Sequence, residues 1–417
     1  MLNITPYSAS PALIDIFCRV IDNYGDIGVC WRLAKDLQNH LHIAQINPDY
    51  FDPASLLQTL FKHHPTIPNT IRLWVDDLYS FARLEPRIDP HKTQQIIQGI
   101  HIMHWQDNTV SQAQPAPLVI EAFGANLDEG FIQQMKGQTR YWLNVEYLSA
   151  EPWVESFHAQ PSIQANGVAK YFFFPGFTPK TGGLIRETTL LPSLANFHQA
   201  EKYQWLLQYI GKEVADAFIQ GDQLITLFCY PHAPFLSLLQ GLQANHRPTL
   251  LLIPEGVLPQ AEQLLQSTHA DFIRIKRFAF LPQEQFDYLL ACSTFNIVRG
   301  EDSFVRAIWS GIPFIWHIYP QEENIHLEKL HAWLNSYPFD TRLITLNTAW
   351  NEVSSCSSSI ESGKLTTSSD TLSKAFTQLF QSDQLHSLQQ SLLDYRRHLL
   401  KNQTLSFSIL NFQAKHG

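Results

Sequence analysis

Short apolar runs rich in branched and aromatic residues recur along this chain, each closed by polar, glycine or proline residues, and helical spacing fills several of the gaps between them. That alternation limits the fold more than any other feature. The first run, ALIDIFCRVI (12–21), is short and ends at the turn signal Asn-Tyr-Gly, which marks a buried parallel strand. From there apolar residues fall at Ile27, Cys30, Trp31, Ala34, Leu37 and Leu41, the stripe of an amphipathic helix. Further strand-like runs lie at 71–78, 117–124 and 139–148, then at 222–230, 247–254, 271–281, 295–300 and 312–318, with helical patterns such as AEQLLQSTH and EQFDYLLACS between them. Strands alternating with helices wind into parallel sheets through right-handed crossovers.

The two series are separated by a different region near 150–200, so the pattern predicts two α/β domains. The expected division is 1–190 and 191–389, with a C-terminal helix from about 390 to 417 packing back on the first domain. YFFFPGFTPKTGGLIRE (171–187), dense in Pro, Gly and aromatics, reads as the interdomain stretch. VSSCSSSIESGKLTTSSDT (353–371) reads as a mobile surface loop, and the tail from Leu372 to Phe407 as largely helical. In open α/β sheets ligands bind beyond the carboxyl ends of the strands, so residues at strand exits carry the functional interest.

Composition excludes several classes. A net charge of −9 argues against nonspecific nucleic-acid binding, which needs a positive surface. No apolar run reaches the roughly 18 residues of a membrane span, and the N-terminus lacks the basic and apolar regions of a signal peptide. Five scattered cysteines without a CxxC pair read as reduced thiols in a cytoplasmic protein. HExxH, GxSxG and P-loop motifs are absent and the histidines lack zinc spacing, so no metal is expected.

Three strand-exit constellations stand out. DNYGD (22–26) places Asp22 and Asp26 around Gly25. On spacing alone it reads first as a turn former plus a helix N-cap, and second as a carboxylate pair aimed at a cationic or hydroxylic acceptor. An acid after the second strand, Asp76 or Asp77, is a weak dinucleotide-site marker. RGEDS (299–303) sets Arg299, Glu301, Asp302 and Ser303 where a helix begins near Ser303. That is either a diphosphate cradle with a carboxylate for sugar hydroxyls, or a capped helix start with a surface ion pair. In RFAFLPQEQFDYLL (277–290), Phe280 and Phe286 flank Gln283 and are either core residues or the walls of a nucleobase pocket, which Tyr230 would join.

DIFCRVIDNYGDIGVCWRLAKDL, LNVEYLSAEPWV, FFFPGFTPKTGGLIRE and RFAFLPQEQFDYLLACSTFNIVRGEDSFVRAIWSGIPFIWHIYPQ together resemble the bacterial EarP family of protein-arginine rhamnosyltransferases over nearly the whole chain. The resemblance implies a GT-B fold, two Rossmann-like domains facing across a cleft, and inverting transfer of L-rhamnose from dTDP-β-L-rhamnose to an arginine on elongation factor P. It implies too that the modified factor would rescue ribosomes stalled at polyproline. It implies catalytic roles for Asp22, Asp26 and Glu301, and donor binding by Tyr230, Phe280, Gln283, Phe286, Arg299, Asp302 and Ser303. No cofactor beyond the donor, no metal, no nucleic acid and no membrane is expected. A GT-B enzyme with another acceptor, or a noncatalytic nucleotide-sugar binder, is the alternative.

Overall fold

The computed structural model describes residues 11–21, 24–66, 68, 70–356, 362–381 and 384–413. The chain divides into two compact units, one of residues 1–187 with 402–417 and one of residues 188–401.

The first unit is built on an eight-stranded sheet in the order β3-β4-β2-β1-β5-β6-β8-β7. Its strands are β1 (Ile14–Cys18), β2 (Ile71–Val75), β3 (Gln94–Ile97), β4 (Ile100–His104), β5 (Leu118–Ala122), β6 (Tyr141–Val145), β7 (Gln160–Ile163) and β8 (Ala169–Phe173). The inner six are parallel, and β3 and β7 pair antiparallel at the two edges. Strands β1, β2, β5 and β6 are buried throughout, which explains their unbroken apolar runs. Chain order reverses between β1 and β5, the switch point at which doubly wound sheets bind ligands. Helix α1 (Gly25–Ile46) follows β1, and its Ile27, Cys30, Trp31, Ala34, Leu37 and Leu41 enter the core. Helix α2 (Leu78–Leu84) follows β2. Three residues of the expected interdomain stretch, Tyr171 to Phe173, instead form the end of β8. An aromatic run beside Pro and Gly reads as a connector until its pairing with β6 is seen.

The second unit holds a wholly parallel five-stranded sheet, β11-β10-β9-β12-β13. Its strands are β9 (Gln223–Leu227), β10 (Thr249–Pro254), β11 (Ile273–Phe278), β12 (Phe295–Arg299) and β13 (Phe314–His317). Here the switch point lies between β9 and β12. Helix α3 (Gln283–Cys292) leads into β12, and α4 (Asp302–Ser310) leaves it. A bidentate ion pair, Arg306 Nε and Nη2 to the Asp287 carboxylate at 2.8 Å each, fastens α4 to α3.

Beyond β13 come α5 (Ile325–Asn335), α6 (Thr341–Cys356), α7 (Ser362–Phe380) and α8 (Gln384–Leu399). The exposed edge of β13 is closed by side chains of α6. Asn347 Oδ1 accepts the Trp316 N–H (2.8 Å), and Asn351 accepts from Ile318 N (3.1 Å) and donates to Trp316 O (2.9 Å). The 353–371 segment corrects the expectation of a loop: it contains the end of α6 and the first half of α7. Serine and threonine are weak helix formers in isolation, but here burial of Leu372, Phe376 and Leu379 holds α7, and Ser355, Ser373 and Thr377 satisfy their hydroxyls on the carbonyl four residues back.

The chain rejoins the first unit at Asn402, later than the expected position near 390, because α8 belongs to the second unit. Thr404 bridges Leu184, and the short helix α9 (Leu405–Leu410) inserts Leu405, Ile409 and Leu410 into the core that α1 covers. Gly183, at φ +75°, permits this crossing, since a Cβ there would sit 2.0 Å from Gln403 O.

Candidate active site

On the first unit, the β1 exit carries DNYGD. Asp22 lies outside the described residues. Asp26 is buried in the first turn of α1 and does not cap the helix: Tyr24 occupies the N-cap position, with no side-chain cap bond. The Asp26 carboxylate instead reaches back across the loop, where Oδ2 accepts the Ile21 N–H at 2.8 Å. Its Oδ1 lies 3.4 Å from the Tyr147 hydroxyl, beyond the end of β6. Asp76 Oδ1 holds the Val20 N–H at 2.9 Å, and Asp77 caps α2 through the N–H groups of Tyr79 and Ser80. Both acids after the second strand thus have structural work. The Asp76 bond and the Asp26 bond together fix the two backbone groups that precede Asp22.

Sequence reading missed two partners here. Phe123, just past β5, adopts φ +56°, a conformation bulky side chains avoid, and its ring stacks on Tyr147 with centroids 4.5 Å apart. The only hint in sequence was the Phe-Gly and Glu-Tyr pairs at the ends of two strands, which nothing local distinguishes from core.

On the second unit, four predicted residues gather around one that was not. Phe228, after β9, lies edge-on to Phe280 (6.0 Å) and Phe286 (5.4 Å). The Arg299 guanidinium carbon sits 4.6 Å from the Phe228 ring centre and 4.9 Å from that of Tyr230. A cation between two aromatic faces is held by their quadrupoles and keeps its charge available at the strand exit. Gln283, buried at the start of α3, donates from Nε2 to Asp302 Oδ2 at 3.1 Å, tying the aromatic segment to the RGEDS segment. Ser303 Oγ accepts the Arg299 N–H at 3.1 Å and donates to the Arg299 carbonyl, closing the turn. The helix begins one residue before Ser303, at Asp302, with Glu301 in the N-cap position and no side-chain cap bond. Gly300, at φ +61°, makes the tight passage from β12 possible.

The result is a helix N-terminus, an arginine and an aromatic cluster at one switch point, a combination suited to a nucleoside diphosphate. Among the described residues no group of three or more His, Cys, Asp or Glu side chains is placed to hold a metal ion. Among the same residues no helix is long and apolar enough to cross a membrane.

Comparison with known proteins decides the family. The family model described as elongation factor P (EF-P) rhamnosyltransferase EarP matches residues 14–66 and 55–414. The chain belongs to the EarP family. This is a family of enzymes: a protein-arginine rhamnosyltransferase of Pseudomonas putida is 41% identical over 355 residues, covering 81% of this chain and 86% of the relative. Another from Pseudomonas aeruginosa is 41% identical over 357 residues, with the same coverages. One from Neisseria meningitidis is 35% identical over 348 residues, covering 79% of this chain and 80% of its own. A solved structure concerned with EarP-mediated arginine glycosylation of translation elongation factor EF-P aligns with a TM-score of 0.55 at 24% identity, covering 97% of this chain and 98% of that one. The two doubly wound sheets described above are the two Rossmann-like units that the sequence was expected to form, and the alignment with that solved structure runs over both.

Proposed function

We propose that this EarP-family enzyme moves L-rhamnose from dTDP-β-L-rhamnose, with inversion, to one arginine side chain of elongation factor P in the cytoplasm, activating the factor for ribosomes stalled at polyproline. The observation that carries the reading is the Arg299–Phe228–Tyr230 cluster, which meets the α4 N-terminus at the switch point of the second unit. It supports a donor site in which Phe280 and Phe286 hold the thymine, while Arg299 and the backbone N–H groups of Asp302 and Ser303 take the diphosphate. The acids of DNYGD support a cationic acceptor on the first unit.

A guanidinium has a pKa above about 12 and is a poor nucleophile. A carboxylate binds its planar fork through paired hydrogen bonds and draws the positive charge toward the nitrogens it holds, which leaves lone-pair density on the remaining nitrogen. That nitrogen attacks the anomeric carbon. The bond from this carbon to the diphosphate oxygen breaks, and its electron pair leaves with dTDP. Nitrogen acidity rises as the C–N bond forms, and the proton passes to Asp22, the general base. Asp26 holds the loop through Ile21 and orients the guanidinium beside it. Arg299 and the helix N-terminus stabilise the charge that develops on the leaving diphosphate. Glu301 positions the sugar. No step requires a metal.

Mass spectrometry of elongation factor P incubated with the protein and dTDP-rhamnose tests the reading. The expected product carries one deoxyhexose on an arginine. No gain would refute this acceptor, leaving another acceptor or a binding role. Asp22→Asn is expected to bind dTDP-rhamnose normally in calorimetry and to give no product; wild-type turnover in that variant overturns the base assignment.

A further inference from the structure

The serine-rich segment that reads as a loop supplies two adjacent side chains to the second unit's ligand-binding edge. Ser354 and Ser355 lie in the last turn of α6, and each meets a histidine. His317 Nε2 is 2.9 Å from Ser354 Oγ, and His326 Nε2 is 2.9 Å from Ser355 Oγ. The opposite ring nitrogen of each histidine accepts a backbone N–H. Nδ1 of His317 takes that of Tyr230 at 3.2 Å, and Nδ1 of His326 takes that of Gln321 at 3.1 Å. Each serine hydroxyl in turn reaches a carbonyl: Ser354 that of His232 at 3.0 Å, Ser355 that of Asn351 at 2.8 Å.

These bonds fix the direction of every proton. A backbone N–H donates to Nδ1, so the neutral ring carries its proton on Nε2. Nε2–H donates to the serine oxygen, whose own proton goes to the carbonyl. The two chains of bonds end on two different loops. One follows β9 and carries Phe228 and Tyr230; the other, 318–321, follows β13. Tyr230 touches both systems, its ring edge-on to His317 at 5.1 Å and to Tyr319 at 5.4 Å. His317, His326 and Ser354 are buried, so water does not substitute readily for any link.

We infer that His317 and His326, oriented by Ser354 and Ser355, are paired positioning residues that hold the two strand-exit loops in the shape that receives the nucleotide. They touch neither sugar nor acceptor in this assignment. His317 acts through the Tyr230 backbone, and so through the ring that faces Arg299, and His326 acts through the Gln321 backbone on the neighbouring loop. The inference rests on the donor site proposed above.

Ser354→Ala combined with Ser355→Ala, which removes little volume, is the test, alongside His317→Asn and His317→Leu. Asn keeps an acceptor where Nδ1 stood; Leu does not. The double serine variant is expected to raise the donor KM and the thymidine diphosphate Kd roughly three- to tenfold, with kcat and the acceptor KM changed less than about twofold. Hydrogen exchange at the Tyr230 and Gln321 amides, read without ligand, is expected to quicken by a similar factor. His317→Asn is expected to recover most of the affinity that His317→Leu loses. Unchanged exchange at both amides, or equal losses in donor KM, acceptor KM and kcat, overturns the assignment. Failure of the wild-type protein to bind thymidine diphosphate would sink the donor site itself, and amide exchange would still decide whether the two serine–histidine pairs hold the loops.

Discussion

Arg306→Met should unfasten the donor side of the second unit. The Arg306 side chain is 1% exposed and that of Asp287 9%, and two bonds of 2.8 Å join their guanidinium and carboxylate. Removing the arginine leaves the Asp287 carboxylate buried without that cation. Desolvation of the carboxylate is then poorly compensated, at a cost of about 3–5 kcal/mol. For a unit of about 200 residues each kcal/mol moves the melting temperature by roughly 2–4 °C, so the second unit's transition should fall by about 6–20 °C. A double variant, Arg306→Met with Asp287→Leu, removes both charges and fills the space with apolar groups, so it should regain most of that loss. The same pair sets α4 against α3, which carry Asp302 and Ser303 on one side and Gln283 and Phe286 on the other. Thymidine diphosphate affinity should therefore drop in the single variant even at temperatures where it is fully folded. Calorimetric scanning and titration of the three proteins provide the assay. A loss under about 1 kcal/mol in the single variant, or a double variant as unstable as the single, refutes the account of a buried pair whose partners depend on each other.

Three further outcomes are expected. Asp26→Asn keeps a carbonyl oxygen for the Ile21 N–H and should cost under about 1 kcal/mol, whereas Asp26→Ala should cost about 1–3 kcal/mol in thermal melts of the first unit; equal losses would deny the cross-loop bond. Phe280→Ala, Phe286→Ala and Phe228→Ala should each weaken nucleotide binding by about 1–3 kcal/mol in titration calorimetry, and unchanged dissociation constants in all three would remove the base pocket. Burial holds His317 down at about 3 and His40 at about 4, against an ordinary 6.5. Both are neutral when folded and gain protons on unfolding, so the stability they contribute is complete above pH 6.5 and is lost as pH falls. At pH 5 each should have lost about 2 kcal/mol, seen as lower urea midpoints; midpoints flat from pH 8 to 5 would contradict this.

The first residues of the RGEDS helix show how far local pattern reaches. An apolar run followed by Arg-Gly-Glu-Asp-Ser marks a strand exit and a helix start from sequence alone, because both signals lie within a few residues. The structure moves the start by one residue and leaves the reading intact. Asp26 shows where local pattern stops. Its position beside the helix start suggests a cap, yet its carboxylate turns to Ile21 and Tyr147, and the latter partner is 121 residues away.

The alternation of apolar runs and helical stripes determined that this chain winds two sheets with parallel centres, since strand burial and helix amphipathicity are written at periods of a few residues. It also placed the acids of DNYGD and the RGEDS turn at strand exits. Tertiary structure alone decided which distant groups serve those exits. Phe228 meets Arg299 across two strands, Ser354 reaches His317 from a helix that sequence reads as a loop, and α9 crosses back to the first unit through Gly183. Such contacts depend on side chains brought together after the sheets form, and no spacing along the chain encodes them.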